Sequence, residues 1–350
     1  DSYAYAESQS YKNLDAVVVV GDFATSGSDE EYELYNSIVD SHIKDGTEMI
    51  ETLGNHEFDF GPTAMAANIA DAEFEVLCAD IYDKETNEPK YAASDLYEDS
   101  DSGLKIGFVG LATPETQTKS IPTNFKNVHF LSQEEIFDAN VGAQAQVNKL
   151  KEDGADVIVA ITHLGVDPES EPYRSIDLYN AAEGIDIIID GHSHTVMEKG
   201  DDGEPIMSTG TKFMNIGMTI IDEETKKIED AHLYHLRDAA DGTFPEDAAY
   251  DEEVKAAADR LIAEVNEQFG AKVAESQVEL NGEKGSNDGS VIGNRNGETN
   301  LGDLITDAMM WYVQKDGNDP CRRHLQAGCS DRTAIRQHDR GCNRYRRGTA

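Results

Sequence analysis

The chain has 350 residues, 39% of them hydrophobic, which is enough for a large core and a second, smaller unit. Its formal net charge of −40 leaves few Lys and Arg for phosphate backbones, so nucleic-acid polymers and anionic membranes are excluded as expected partners. No apolar run approaches the ~18 residues of a membrane-spanning helix, and Cys78 stands alone in the body of the chain, so neither a membrane span nor a disulfide framework is expected.

The chain opens at Asp1 with no initiator Met and no basic-then-apolar leader, which suggests a removed signal or a start inside a gene. Leu14–Val20 is a β-branched run and reads as a strand. Glu30–Asp45 has helical spacing and stops at Gly46. Met49–Leu53 is a second strand, Thr63–Ala72 a helix, Phe74–Ala79 and Leu104–Leu111 further strands. Gln133–Asp153 reads as one long helix closed by Gly154. Asp156–Thr162 is a strand, Asp177–Ala182 helical, and Ile185–Asp190 a strand. Continuous apolar runs mark strands covered on both faces, and their alternation with helices makes an α/β pattern. Beyond Pro205 the spacing predicts neighbouring antiparallel strands (Pro205–Ser208, Phe213–Asp222, Lys227–Leu236) that continue the sheet. Glu252–Phe269 follows as an amphipathic connecting helix, then a loop over Asn281–Gly297 and a helix over Asn300–Trp311. Residues Cys321–Ala350 differ in kind. They hold eight of the twelve Arg, three of the four Cys, no Lys and two acids. That composition reads either as a basic interaction tail or, as preferred here, as a frameshifted or mis-joined end.

Four short motifs stand where apolar runs end. They are Gly21-Asp22, Gly54-Asn55-His56-Glu57-Phe58-Asp59, Thr162-His163-Leu164-Gly165 and Asp190-Gly191-His192-Ser193-His194. In open α/β sheets, ligands gather at the carboxyl ends of the strands. Asp22 there can bridge two cations, although taken alone it reads equally as a turn or helix-cap residue. Asn55 offers a neutral oxygen. A lone His is more often an ordinary surface or core residue than a ligand, but His163, His192 and His194 join Asp22 and Asn55 at strand ends. His192 and His194 can straddle a metal pair if Gly191 makes a tight turn. His56 and Asp59 form a spare pair. The Asp can hold the imidazole and raise its pKa, so that the imidazolium stabilises a developing oxyanion or protonates a leaving alkoxide. Glu57 reads as an orienting residue, Phe58 and Phe60 as packing. The set as a whole reads as a metal-assisted phosphoester hydrolase.

In this order and with the second motif beginning 33 residues after the first, the motifs resemble the calcineurin-type metallophosphoesterases, in particular the secreted 5′-nucleotidases and 2′,3′-cyclic-nucleotide phosphodiesterases. The resemblance implies a four-layer αββα sandwich and two divalent metal ions, with Zn, Mn, Fe, Co or Ni all compatible with mixed N/O ligands. It implies that Asp22 bridges, that Asn55, His163 and His192 hold one metal, and that His194 helps to hold the other. His56 and Asp59, with Asn55, become the catalytic group, acting on a nucleotide substrate attacked by a metal-activated hydroxide. A secreted or cell-surface location is implied as well.

The same resemblance divides the chain into a metallophosphoesterase domain over 1–240, a linker helix over 250–272, the start of a nucleotide-binding domain over 273–319 and an aberrant tail over 320–350. Asn294–Leu304 resembles the opening of that second domain. The family begins with an Asp-x-His motif on a first strand, yet Asp1–Leu14 contains no His. The base-stacking aromatics and phosphate-binding Arg are absent from the tail too. The resemblance therefore implies an N-terminally incomplete domain with one under-liganded metal, and little nucleotidase activity from these 350 residues alone. Two further readings follow, a truncated non-catalytic relative and an acidic cell-surface binding protein on the same scaffold.

Overall fold

The computed structural model describes residues 14–235, apart from 23–31, 33–34, 38, 40–42, 45, 60 and 73, and then 252–272, 275–285, 291–293 and 298–315. The chain divides between Arg260 and Leu261 into two compact units.

In the first unit, β1 (Ala16–Val19), β2 (Glu48–Thr52) and β3 (Glu75–Leu77) make a parallel three-stranded sheet in that order. β1 is half-buried, so its valines are not covered on both faces as the apolar run suggests. Tyr32, Tyr35, Asn36, Ser37 and Val39 are helical, in keeping with the predicted segment before Gly46. β4 (Ile81–Asp83) pairs antiparallel with β7 (Val128–Phe130). β5 (Ser94–Glu98), β6 (Lys105–Ala112), β8 (Val157–His163), β9 (Ile187–Asp190), β10 (Val196–Met197) and β11 (Ile206–Thr209) form a six-stranded sheet of order β10-β11-β9-β8-β6-β5. Its centre is parallel from β11 through β6, and both edges are antiparallel. β12 (Asn215–Asp222) and β13 (Lys227–His235) pair antiparallel with each other.

Three apolar clusters set the layers. On one outer face, Val147 and Leu150 of the helix Gly142–Glu152 and Leu178 of the helix Ser175–Ala181 pack on Val109, Leu111, Ile158 and Ile188. Between the sheets, Ile50 and Leu77 meet Phe108, Val159 and Ile161, with Ile221, Ile228 and Ala231 against the same cluster. On the other outer face, Met65 of the helix Pro62–Asp71 packs with Leu53, Phe58, Val76, Phe125 and Phe130. Helix, sheet, sheet and helix are thus stacked, the α/β four-layer αββα arrangement expected.

Three expectations are corrected. First, the long helix over 133–153 is two helices, Gln133–Ile136 and Gly142–Glu152. Ser132 and Glu135 form a capping box at the first. The Asp138 carboxylate then accepts from the Asn140 amide at 2.7 Å, a turn that competes with the helix. Gly142 has φ +68°, and a Cβ there would lie 2.8 Å from the Glu135 carbonyl oxygen, so the chain must turn at glycine. Second, β11 lies parallel to β9. Of the three strands predicted beyond Pro205, β12 and β13 are antiparallel neighbours, and they make their own sheet across the core. Apolar alternation does not distinguish these partners. Third, the loop over Asn281–Gly297 contains a short antiparallel pair, β14 (Glu283–Gly285) and β15 (Val291–Gly293).

The helices Glu252–Phe269 and Asn300–Lys315 match their predicted starts. Phe60, Asn294–Gly297 and the Arg-rich tail lie outside the described residues. No helix among the described residues is long and apolar enough to cross a membrane.

Candidate metal centre

Every motif residue sits at the carboxyl end of a strand or one turn beyond it. β1 ends before Val20, Gly21 and Asp22, β2 before Leu53, Gly54 and Asn55, β8 at His163 and β9 at Asp190. Gly21 has φ +76° and Asp22 φ 57°, which turns the Asp22 carboxylate back over the strand ends.

Glycine is required here by crowding. A Cβ on Gly54 would lie 2.2 Å from Asp22 Oδ1. One on Gly191 would lie 2.9 Å from the Val20 carbonyl oxygen and 3.0 Å from His163 Nδ1. These glycines let two loops close on the same carboxylate.

Asp22, Asn55, His163 and His192 come together as two facing pairs. The His163 ring is buried, and its Nδ1 donates to the Val20 carbonyl oxygen. Its Nε2 is therefore turned to Asp22 Oδ2 at 2.9 Å. The alignment is not that of a hydrogen bond, and Nε2 is buried with no other partner. In the second pair, His192 Nδ1 lies 3.0 Å from Asn55 Oδ1, and Nε2 lies 2.8 Å from Glu115 Oε2. Nε2 also lies 3.4 Å from Lys119 Nζ. A carboxylate only accepts, so the nearer Glu115 contact favours the proton on Nε2, an arrangement that turns the Nδ1 lone pair to the amide oxygen. The two imidazole centroids are 5.1 Å apart.

Acceptors facing acceptors need a positive charge between them. Burial pushes the Asp22 carboxyl up, but the His163 and His56 groups outweigh it and hold it down to about 2. Burial also opposes charge on His163, and Asp22 overrides it, so its pKa is raised. Burial and the nearby His163 lower that of His192. A divalent cation meets the same demand at both pairs, and an orphaned imidazole nitrogen inside a glycine-walled cradle fits one. Among the described residues, no group of three or more His, Cys, Asp or Glu is placed to hold a metal ion by itself.

His194 follows His192 in the same left-handed turn, with φ 55° after φ 69°. It is exposed, and among the described residues no side-chain hydrogen bond joins it to the other four. His56 stands beside the pairs. Its amide donates to Asp22 Oδ1 at 2.9 Å, and its ring Nδ1 lies 2.7 Å from Asp59 Oδ2. Ser120 Oγ donates to Asp59 Oδ1 at 2.7 Å, and Asn124 Nδ2 donates to the Phe58 and Asp59 carbonyl oxygens. The ring is half-exposed, and Asp59 and Asp22 raise its pKa against the opposing effect of burial.

Sequence reasoning missed three supports. Asp190 was visible only as the start of a motif, yet its Oδ1 accepts from Thr162 Oγ1 and from the Leu164 and Gly165 amides, and so fixes the His163 loop. Ser120 and Glu115 lie in the loop after β6, where no ligand-like spacing flags them. The Thr-Pro-Glu turn was the one available signal. Glu57 is where an orienting residue was expected: buried, with Oε2 accepting from the Gly54 amide at 2.6 Å. Burial and Asp22 push its carboxyl up to about 7. The expected small hydrophobe Cys78 is fully buried, but its thiol also donates to Asp80 Oδ1 at 3.2 Å.

Comparison with known proteins bears on the family and the fold. Residues 4–196 match the family model for calcineurin-like phosphoesterases. A 2′,3′-cyclic-nucleotide 2′-phosphodiesterase/3′-nucleotidase of Haemophilus influenzae is 32% identical over 158 residues, covering 41% of this chain and 23% of that protein. A 5′-nucleotidase of Vibrio parahaemolyticus is 25% identical over 303 residues, covering 75% of this chain and 51% of that one. The chain thus spans about half the length of the second relative and less of the first. In fold it is similar to the crystal structure of a 5′-nucleotidase precursor from Thermus thermophilus, with a TM-score of 0.61, 24% identity, and coverage of 90% of this chain and 60% of that one. With the family match covering more than half of its residues and the αββα layers in place, the chain belongs to the calcineurin-like phosphoesterase family.

Proposed function

We propose that this chain carries out metal-dependent hydrolysis of nucleotide phosphoesters, with Asp22, Asn55, His163 and His192 as ligands of a divalent cation. The observation that carries this reading is the buried His163 Nε2, without a hydrogen-bond partner and turned to Asp22 Oδ2 at 2.9 Å. Divalent cations at these atoms would supply the Lewis acidity that polarises a phosphoryl group and lowers the pKa of a water. A second cation held by Asp22 and His194 completes the proposed pair. Its support is the motif spacing and the family membership.

The protein's own groups do the rest. Asp59, fixed by Ser120 and Asn124, holds His56 Nδ1 and favours the imidazolium. The exposed Nε2 edge of His56 is left to meet the substrate, stabilise charge on the phosphoryl oxygens and give a proton to the leaving oxygen. The relatives' names support a nucleotide as substrate. We extend the proposal to the domain plan, with 1–240 as the hydrolytic domain, 250–272 as a linker and 273–319 as the start of a nucleotide-binding domain. A secreted or cell-surface location is part of the same reading.

The test is hydrolysis of bis-p-nitrophenyl phosphate, which needs no base pocket, by the full chain with Mn²⁺ or Zn²⁺. The expected result is turnover that a chelator abolishes and His56→Ala reduces. Turnover indifferent to both, or none at saturating metal in folded protein, would overturn the proposal.

A further inference from the structure

The loop after β6 brings a carboxylate to the back of His192. Glu115 Oε2 lies 2.8 Å from His192 Nε2 and also accepts from Lys119 Nζ at 2.7 Å and Ser170 Oγ at 3.1 Å. Three donors converge on one oxygen, which pins it against the ring. Glu115 is largely buried (side chain 16% exposed) and His192 more so (9%), so the contact is shielded from water.

An imidazole has one proton and two nitrogens when neutral, and the partner of one nitrogen decides the role of the other. His163 shows this with a backbone partner, since its Nδ1–H donates to the Val20 carbonyl oxygen and leaves Nε2 for Asp22. For His192 the partners of Nε2 are side chains, Glu115 Oε2 at 2.8 Å and, farther off, Lys119 Nζ at 3.4 Å.

We propose that Glu115 is a positioning residue, which by accepting from His192 Nε2 fixes the ring as the Nε2–H tautomer and keeps Nδ1 free beside Asn55 Oδ1 as a metal donor. This rests on the proposed metal centre for its purpose, but the tautomer exists without any metal. Lys119 and Ser170 hold the carboxylate in register, and with it the plane of the ring. Without Glu115, Nδ1 could take the proton and donate to Asn55 Oδ1, which would close both donor atoms to a cation.

The experiment uses the full chain and two readouts. The first is the ¹⁵N shifts and long-range ¹H–¹⁵N correlations of the His192 ring in metal-free protein, assigned by comparison with His192→Gln. The expected wild-type spectrum shows Nε2 protonated and Nδ1 bare. A ring protonated on Nδ1 alone overturns the proposal, and this needs no Glu115 variant. The second readout is Mn²⁺ affinity by titration calorimetry. Glu115→Ala is expected to weaken it by about 10–100-fold. Glu115→Gln, whose amide oxygen can still accept, should recover most of that and retain the Nε2–H tautomer. Unchanged affinity and tautomer in a folded Glu115→Ala protein would overturn the assignment. Should that variant not fold, Glu115→Gln decides, a switch to the Nδ1–H tautomer with unchanged Mn²⁺ affinity being the contrary result. If wild-type protein binds no Mn²⁺ while the ring shows Nε2–H, the metal reading fails and the Glu115 assignment stands.

Discussion

His163 Nε2 and Asp22 Oδ2 face each other at 2.9 Å in a buried cradle, and Nε2 has no hydrogen-bond partner there. Two acceptors at that separation hold either a badly aligned proton or a metal ion. Dialysed wild-type protein is therefore expected to retain divalent metal in elemental analysis. Asp22→Asn and His163→Ala should each lower the content, Asp22→Asn at least as much. Unchanged stoichiometry in both would remove these residues from the site.

Gly191 is fixed by the same crowding. A Cβ there would reach 2.9 Å from the Val20 carbonyl oxygen and 3.0 Å from His163 Nδ1, neither of which is the free end of a flexible side chain. Gly191→Ala should destabilise the fold by about 1–3 kcal/mol, the usual scale of overpacking, and lower metal affinity with it. Thermal unfolding with and without metal checks both, and a neutral substitution would show that the two loops can part at no cost.

His56 and Asp59 should separate from the ligands in their effects. His56→Ala is expected to cut turnover by ~10²-fold or more with metal content near normal. Asp59→Asn should cost less and should move the alkaline limb of the rate profile to lower pH. The sign follows from the cause. Asp59 and Asp22 raise the His56 pKa, so the imidazolium persists to higher pH in wild type and is lost earlier when Asp59 is neutral. Loss of metal in His56→Ala would make that residue a ligand instead.

Asp80 gives the fold a pH dependence outside the site. It is fully buried, Oδ1 accepts from the Ala112 amide and the Cys78 thiol, and Oδ2 has no partner. Burial outweighs those hydrogen bonds and pushes its pKa up from 3.8 to about 7. The native state thus keeps a proton that the unfolded chain gives up. Stability from this group is complete below about pH 4 and is lost as pH rises through about 7. Asp80→Asn keeps the Ala112 acceptor and cannot ionise, so it should flatten the stability slope between pH 4 and 7 and raise stability at pH 8. Equal slopes in denaturant unfolding would mean that Asp80 ionises freely in the folded state.

The strand ends were legible in the sequence because parallel strands buried in a sheet leave continuous apolar runs, and a Gly-Asp, Gly-Asn, Thr-His or Gly-His step then breaks them. Asp22, Asn55, His163 and His192 could be found that way. Glu115 could not, since it meets His192 only because β6 and β9 flank β8 in the same sheet. Hydrophobic spacing also joined 133–153 into one helix, where the Asp138–Asn140 turn and left-handed Gly142 win locally. The pairing of β11 with β9 depends on where the chain crosses over, which spacing does not record. His194 was expected among the ligands from its place in the motif, and the turn after Gly191 places it exposed, two residues past His192.

Anomalous diffraction from crystals of the full chain grown with Zn²⁺ or Mn²⁺, recorded at the metal's absorption edge, tests the metal centre most directly. The account predicts a peak within bonding distance of Asp22 Oδ2, Asn55 Oδ1, His163 Nε2 and His192 Nδ1, with the His192 Nε2 edge still against Glu115. No peak at these atoms in metal-saturated crystals, or one held by other residues, would contradict it.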